Sequence, residues 1–460
     1  MAQIDFSERM NRDEMRAASG LAAIFGLRMM GMFLILPVFA LYAEDLPGGQ
    51  NHTLVGLALG IYGLTQALLM IPFGMASDRL GRKKLIIIGL ILFALGSFLA
   101  AAATDIVWTI MGRALQGAGA VSAVVTALLA DLTREEHRTK AMALVGSTIG
   151  ITFAISLVAG PALNRLIGVP GIFMLTGVLA LAAIWVVRYW VPDPALSQFH
   201  ADAQPNPVRF VDVLGNTQLA RLDFGIFALH AAQMAMFVVI PVALKDAGLA
   251  VDDHWAVYLP VLLGSFVVMV PAIILGEKRG QMKPVFLGGV ALMLASLLGL
   301  AMGLSHFWVI VWGLFAYFVA FNLLEATLPS IISKLAPAQA KGTAMGVYNT
   351  AQALGLFFGG FVGGWLAQHH GFNTVFLFCV ALMAVWLLVA LSMAPPPAIK
   401  TRMFRVGAMP VDQAALLKAQ LAEIAGVVEV AVLAEEGVAM LKVSVRGWDE
   451  PAARRLLGMA

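Results

Sequence analysis

Four ionisable side chains, Arg28, Arg113, His230 and Glu325, lie deep inside long apolar runs of the sequence. An ionisable group inside a membrane-spanning helix is costly and points to a function. Glu325, in FNLLEATLPS, is the only acid deep in such a run, and a carboxyl group there can carry a coupled proton. An arginine keeps its own proton, so Arg113 would act by tuning a neighbouring acid or water. All four are candidates for proton coupling.

The same residues have plainer interpretations. Glu325 could instead form a fixed ion pair with Arg28 or Arg113 that holds the helices in register, and the residues alone favour neither role. His230 could titrate near neutral pH, but a hydrogen-bonded core histidine is the commoner arrangement. Arg28 either attracts anionic substrates or neutralises Glu325.

Polar and aromatic residues near the middle of other apolar runs are candidates for lining a substrate pathway. They are Tyr62, Gln66, Gln233, Asn322, Tyr348, Asn349 and Gln352.

The composition indicates that lipid is the main solvent of this chain. Of its 460 residues 60% are hydrophobic and 12% charged, against about 45–50% and about 25% in soluble domains. The net charge of +3 is too small to suggest nucleic acid, and the single cysteine, Cys379, excludes a disulfide framework or a cysteine metal site. The sequence contains no nucleophile–base pair, metal cluster or phosphate loop, so we expect neither an enzyme nor a cofactor.

Twelve apolar runs are long enough to cross a bilayer, which takes about 20 residues of helix. The chain is therefore expected to be an all-α membrane protein with twelve transmembrane helices. The predicted spans are 17–42, 53–77, 84–103, 105–130, 141–163, 169–191, 218–244, 254–276, 283–304, 306–333, 342–367 and 371–394.

The loops differ sharply in charge. Those after spans 2, 4, 8 and 10 contain twelve lysines and arginines, whereas the loops on the other side contain only Arg165 and Lys245. Basic loops stay in the cytoplasm, so both termini are expected there, in a multi-pass protein of a bacterial inner membrane.

The two groups of six spans form an internal repeat. DRLGRKK (78–84) after span 2 aligns with EKRGQMK (277–283) after span 8, at a spacing of 199 residues. Parallel six-helix repeats are typical of transporters with a pathway between the halves. We expect halves at 1–192 and 218–396, a cytoplasmic linker at 193–217, and a monomer.

Residues 400–460 differ in composition from the rest of the chain. Their pattern predicts the order β-α-β-β-α, a small cytoplasmic α+β domain of the ferredoxin-like type without a last strand. Because the segment has no cysteine, we do not expect a Cys-x-x-Cys metal role. A regulatory role, a scaffolding role and a plain appendage stay open.

The segment 78–84 is too short to cross a bilayer and must form a tight hairpin. Gly74 permits close approach of another helix, and Gly81 can adopt a positive φ. The basic residues hold the loop in the cytoplasm, but Asp78 contributes nothing to topology and needs another reason to be there.

Three motifs carry a resemblance to a known family. GMASDRLGRKK (74–84) matches G-x-x-x-D-R-x-G-R-[RK], the loop between helices 2 and 3 of the major facilitator superfamily, and RALQGAGA (113–120) resembles its helix 4 motif. AGPAL (159–163) resembles part of the helix 5 motif of its proton-coupled antiporters, with Ser156 where those have glycine. The resemblance covers about residues 15–395 and is strongest to the bacterial YajR-type drug/proton transporters, which carry a C-terminal domain.

The resemblance implies a rocker-switch mechanism in which two halves expose a midplane site alternately. It implies that Asp78 caps helix 11 and that Arg82 pairs with Asp131, whereas the plainer interpretation is that these charges only set topology. The residues of this conformational switch would be Gly74, Asp78, Arg79, Gly81, Arg82 and Asp131.

The expected function is proton-coupled export of small amphipathic compounds, with the bilayer, the substrate and protons as partners. The alternatives are a proton- or solute-coupled importer on the same fold and a membrane sensor that reports through residues 400–460.

Overall fold

Long apolar helices make up most of the chain, because lipid offers no partners for backbone N–H and C=O groups and helices satisfy them internally. The structure, a computed structural model, describes residues 10–193, 210–279, 281–337, 340–395, 399–434, 437–444 and 447–458. Ten helical segments of this described part are long and apolar enough to cross a membrane.

The N-terminal half contains seven helices. They are α1 (Arg12–Phe33), α2 (Phe39–Ala43), α3 (His52–Leu80), α4 (Arg82–Ala101), α5 (Ile106–Ala118), α6 (Ser122–Leu132) and α7 (Glu135–Trp185), the last followed by a π-helical turn at Val186–Trp190. Predicted spans 1 and 4 are each interrupted, the first between α1 and α2 and the second at Gly119 between α5 and α6. A Cβ at Gly119 would lie 2.4 Å from the carbonyl oxygen of Gly89 on α4, so close packing explains the glycine at the second break.

The long helix α7 supplies predicted spans 5 and 6. It is broken at Gly168, whose φ of 68° and ψ of 172° are not helical. The chain reverses there, because Gly160 packs beside Leu34 whereas Val191 packs beside Gly20, near the other end of α1. With this break and the α1–α2 pair, the ten segments account for the twelve predicted spans.

The C-terminal half follows the predicted spans to within a few residues. Its helices are α8 (Phe210–Leu214), α9 (Thr217–Asp246), α10 (Trp255–Arg279), α11 (Met282–Gly303), α12 (Phe307–Leu335), α13 (Lys341–His370) and α14 (Phe372–Leu391), with a 3-10 turn at Val251–Asp253. Helix α9 is buried on all sides along most of its length, which places it in the interior. The predicted linker at 193–217 lies largely outside the described residues.

The two halves meet along a seam of glycines between α3 and α13. A Cβ at Gly56 would lie 2.0 Å from the carbonyl oxygen of Gly360, and one at Gly364 would lie 2.3 Å from that of His52. Small residues let membrane helices approach at backbone distance, so any larger side chain at these positions would force α3 and α13 apart.

The predicted β-α-β-β-α order of the C-terminal segment is confirmed. Its elements are β1 (Ile399–Arg405), α15 (Val411–Ala422), β2 (Val427–Leu433), β3 (Val438–Ser444) and α16 (Glu450–Leu456). The sheet order is β1-β3-β2 with both pairings antiparallel. Phe404, Leu421, Val430 and Leu441 form its small apolar core.

This C-terminal unit contacts the membrane helices. Lys442 on β3 is buried, pairs with Glu429 at 2.7 Å, and donates a hydrogen bond to the carbonyl oxygen of Ala336 just after α12. Strand β1 also contacts α7 and α12. The unit is therefore attached to both halves.

Candidate functional site

The helix ends divide into two groups, which we name by their loops. The basic end contains the loops with most of the lysines and arginines, among them Arg82 and Lys83, and the opposite end contains Glu44, Arg165 and Lys245. Substrate that crosses between the halves must pass from one of these ends to the other.

The halves are held together at the opposite end. Lys245 Nζ lies 2.8 Å from Glu44 Oε2, and the backbone N–H of His52 donates to Gln368 Oε1 at 2.7 Å. A looser pair joins Arg165 to Asp252 at 3.9 Å. Each contact links one half to the other, and His52 also lies at the end of the glycine seam, so this end of the pathway is closed.

Aromatic rings close the middle of the interface. The ring of Phe153 on α7 lies 5.0 Å from that of Phe33 in its own half, and 5.9 and 5.7 Å from those of Phe318 and Phe321 on α12. Phe321 lies 5.8 Å from His230. The apolar plug therefore borders directly on a polar cluster of the C-terminal half.

That acid–histidine cluster consists of His230 on α9, Glu325 on α12 and Gln352 on α13. His230 Nδ1–H donates to the carbonyl oxygen of Ile226 at 3.2 Å, so Nε2 accepts from the Gln352 amide at 2.8 Å. The same amide lies 3.5 Å from Glu325 Oε1, and His230 Nε2 lies 3.7 Å from Glu325 Oε2. The two titratable groups of the cluster therefore lie side by side, without a hydrogen bond between them.

The burial of this cluster is uneven. The side chain of His230 is 4% exposed, whereas that of Glu325 is 20% exposed. Glu325 Oε2 itself is buried and has no hydrogen-bond partner. The acid is thus partly exposed and lies beside a buried histidine.

A second acid, Asp223 on α9, was missed by the sequence analysis, which expected Glu325 to be the only deep one. Asp223 is half-buried, its Oδ1 has no hydrogen-bond partner, and it lies two helical turns from His230 on the same face. The position of Asp223 inside predicted span 218–244 was the available signal.

A separate cluster in the N-terminal half brings together Arg28, Tyr62, Gln66 and Arg113. Arg28 donates to Gln66 at 3.0 Å, and the guanidinium carbons of Arg28 and Arg113 lie 5.6 and 4.9 Å from the centre of the Tyr62 ring. Glu325 bonds neither arginine. The interpretation of Glu325 as the partner of Arg28 or Arg113 is therefore wrong for this conformation.

The other pathway candidates lie on α9, α12 and α13 of the C-terminal half. Asn322 donates to Ser265 at 2.9 Å. Gln233 and Tyr348 are buried with a polar atom that has no partner, and Asn349 is half-buried on α13. They stay candidates for the pathway.

The candidate switch loop contains a buried ion pair. Arg82 Nε donates to Asp131 Oδ2 at 3.1 Å, with the two side chains 2% and 0% exposed, and Arg82 Nη1 donates to Ser77 Oγ at 2.5 Å. Gly81 has a φ of 92° at the junction of α3 and α4, which only glycine adopts readily.

The other candidate switch residues of this loop are Gly74, Asp78 and Arg79. A Cβ at Gly74 would meet no atom nearer than Ala123 Cβ at 3.7 Å, so close approach does not require glycine there in this conformation. Arg79 is exposed. The side chain of Asp78 lies outside the described residues.

Other contacts at the basic end tie the N-terminal half together. Lys83 Nζ, expected to serve topology alone, donates to the carbonyl oxygen of Val191 at 2.6 Å. Glu14 accepts from Arg134 through both carboxylate oxygens, at 2.9 and 3.0 Å. Burial raises the pKa of the Glu14 carboxyl, but the hydrogen bonds from Arg134 and Asn11 outweigh it and lower the pKa to about 2.

Comparisons with known proteins agree with this architecture. The sequence matches the family model of the Major Facilitator Superfamily over residues 21–360 and 222–423. It is 44% identical to the inner membrane transport protein YajR of Escherichia coli, over 95% of each chain. It is 25% identical to multidrug resistance protein 2 of Bacillus subtilis, over 78% of this chain and 90% of that protein.

Solved structures show the same fold at low identity. The human organic anion transporter MFSD10 (TETRAN) has a TM-score of 0.59 and 16% identity, and covers 83% of this chain and 100% of its own. A bacterial homologue of the human lysosomal transporter Spinster has a TM-score of 0.65 and 12% identity, over 83% of this chain and 97% of its own. The chain is accordingly a multi-pass inner-membrane transporter and not an enzyme, and it belongs to the major facilitator superfamily.

Proposed function

We propose that this transporter exports small amphipathic compounds in exchange for protons, with Glu325 as the group that carries the coupled proton. The observation that supports this most is the arrangement of Glu325 beside His230 and Gln352, partly exposed at the aromatic plug where the halves meet. The multidrug name of a distant relative supports a small-molecule cargo.

The closed opposite end supports alternating access. Ion pairs and backbone contacts seal one end in this structure, so transport requires a second arrangement in which that end opens. We propose that the basic end faces the cytoplasm, because basic loops are retained there. The switch residues Arg82 and Asp131 would then act on the cytoplasmic side.

Charge offers a route from protonation to movement. Arg28 and Arg113 hold a permanent positive charge in the N-terminal half, whereas the charge of Glu325 in the C-terminal half disappears when it takes up a proton. The attraction between the halves therefore depends on the protonation of one residue, and it is strong in a medium of low dielectric constant.

Proteoliposomes with an imposed pH gradient test the proposal. The probes are ethidium and 1-anilinonaphthalene-8-sulfonate, whose charges do not change near neutral pH, and neutral chloramphenicol. Export by exchange accumulates a probe on the acidic side, whereas symport accumulates it on the alkaline side. Accumulation of a probe on the alkaline side would establish the importer instead.

The variant Glu325→Gln keeps the shape and hydrogen bonding of the acid but cannot cycle a proton. We expect it to abolish accumulation driven by the gradient while sparing downhill exchange of the same probe. Glu450→Gln is the matched control, since it makes the same change on the C-terminal unit, far from the interior. A stable Glu325→Gln protein that still accumulates probe normally would exclude this role.

A further inference from the structure

The cluster around Tyr62 in the N-terminal half contains two fully buried cations. Arg28 is 1% exposed and Arg113 is 0% exposed. All their hydrogen-bond acceptors are neutral: Arg28 donates to Ser122 Oγ and Gln66 Oε1, and Arg113 donates to Gln116 Oε1 and the carbonyl oxygen of Ala58. Within the described part of the chain, no carboxylate pairs with either arginine.

The cluster also has donors that are not used. Arg28 Nε, Arg113 Nη2 and the Tyr62 hydroxyl are buried and have no hydrogen-bond partner. The two guanidinium groups cannot satisfy each other, because arginine has no acceptor. The face of Tyr62 compensates part of the charge, but no described group supplies the anion that two buried arginines ordinarily require. The cluster is therefore short of a negatively charged acceptor.

We propose that the acceptor is the anionic head group, a carboxylate or sulfonate, of an amphipathic substrate. A carboxylate or sulfonate accepts charge-assisted hydrogen bonds from guanidinium groups, and Arg28 Nε and Arg113 Nη2 supply one unused donor each. The apolar part of the substrate would contact the aromatic plug, since Phe33 lies five residues beyond Arg28 on α1 and contacts Phe153.

This inference rests on the proposed transport function and names its substrate class. Both arginines are buried in this conformation, so binding requires the pathway to open on one side. Because Glu325 lies beside His230 and Gln352 in the other half, the anion does not compete with an internal ion pair for the arginines.

The test compares three naphthalenes whose polar groups differ in charge, 2-naphthoate, 2-naphthylmethanol and 2-naphthylmethylammonium, at pH 7.5 on the purified full chain. Binding is followed as a shift in the thermal unfolding midpoint, measured by differential scanning calorimetry because naphthalenes fluoresce in the same range as tryptophan. We expect a saturable upward shift with 2-naphthoate only. Equal shifts with the alcohol would mean that the apolar ring alone is bound and would overturn the proposal.

Variants locate the binding. Arg28→Gln should weaken 2-naphthoate binding by about tenfold or more, because a charge-assisted hydrogen bond and one of the two positive charges are lost. Arg454→Gln makes the same change on an exposed helix of the C-terminal unit and should change nothing. Undiminished binding in Arg28→Gln would overturn the proposal.

A milder variant serves if Arg28→Gln fails to fold. Tyr62→Phe keeps the ring under both arginines and removes only the unused hydroxyl, so it should fold and bind 2-naphthoate several-fold more weakly. Normal affinity in Tyr62→Phe, together with normal affinity in Arg28→Lys, would show that the cluster is structural. Binding is measured without a gradient, so its loss and a failure of proton coupling are distinguishable.

Discussion

The two halves of the transporter share a helical framework but bury opposite kinds of polar group. The N-terminal half surrounds Tyr62 with Arg28 and Arg113, and the C-terminal half places Glu325 beside His230 and Gln352. Arginine keeps its charge at every physiological pH, whereas a carboxyl or an imidazole can change it. The repeated fold thus provides similar interior positions in both halves. In one half they hold fixed charges, and in the other they hold titratable groups.

The halves also differ at the basic end. Arg82 in the N-terminal repeat forms a buried pair with Asp131, but the position 199 residues later is Gln281, which is exposed at the start of α11. Glutamine cannot form an ion pair. The first loop is therefore fixed by charge to the end of α6, and the equivalent position of the second half cannot make this ion pair.

The largest expected effect comes from making the first loop resemble the second with Arg82→Gln. The change leaves Asp131 buried without its cation, which costs about 3–5 kcal/mol in soluble proteins. We expect a clearly lower thermal unfolding midpoint for the purified protein, and a lower yield from the membrane. Lys84→Gln, at an exposed position of the same loop, should change stability by no more than about 0.5 kcal/mol.

A double variant sharpens this test. Asp131→Asn added to Arg82→Gln removes the stranded charge and should restore part of the lost stability, since a coupled pair is not additive. An Arg82→Gln protein as stable as the unchanged chain would show that the pair does not hold the loop. The difference between the two halves at the basic end would then have no effect on stability.

Much of the architecture could be predicted from the sequence because lipid imposes a simple rule on length and hydrophobicity. Eleven of the twelve predicted spans lie in the ten helical segments of the described residues that are long and apolar enough to cross a membrane. The break between α1 and α2 contains Pro37, which lacks the backbone N–H that a continuing helix needs. The break at Gly119 could not be foreseen, because it is required by the approach of α4.

The sequence named most of the buried polar residues that the structure groups together, but not their groupings. The resemblance correctly paired Arg82 with Asp131, since both lie at helix ends beside the basic loops. Glu325 could not be assigned to His230 rather than to an arginine, because that depends on how α9, α12 and α13 are rotated about their axes. Asp223 was overlooked because it lies near the start of its span, where an acid is usually solvated.

The glycine seam between α3 and α13 gives a second prediction, with an effect of intermediate size on the contact between the halves. In Gly56→Ala the new methyl group would lie 2.0 Å from the carbonyl oxygen of Gly360, so α3 and α13 must separate by about 1 Å. We expect the opposite end to open more often. Gly288→Ala on α11, where nothing lies within 4 Å, is the control.

Spin labels measure this opening directly. Leu166 and Asp253 are exposed at the opposite end in different halves, and the only native cysteine, Cys379, is buried and replaceable by serine. Labels at both positions should report a longer mean distance in Gly56→Ala and an unchanged one in Gly288→Ala. Identical distances in the two variants would mean that the glycine seam does not hold the halves together.

The smallest expected effect concerns the C-terminal unit, which belongs to neither half but contacts both. Deletion of residues 400–460 removes the hydrogen bond from Lys442 to the carbonyl oxygen of Ala336. That carbonyl follows the end of α12, so water can replace the lysine, and the net loss should be about 1 kcal/mol. We expect a folded core that still transports, with an unfolding midpoint only a few degrees lower.

Lys442→Met removes the hydrogen bond to Ala336 but leaves the C-terminal unit in place. It keeps most of the side-chain volume and removes the donor, but it also leaves Glu429 without its lysine. If the hydrogen bond is the main link, Lys442→Met should lower the midpoint about as much as the deletion does. A much larger loss in the deletion would show that β1 holds α7 and α12 together by packing. Disappearance of the membrane core on deletion, under conditions where the full chain is stable, would show that the two halves depend on the unit to fold.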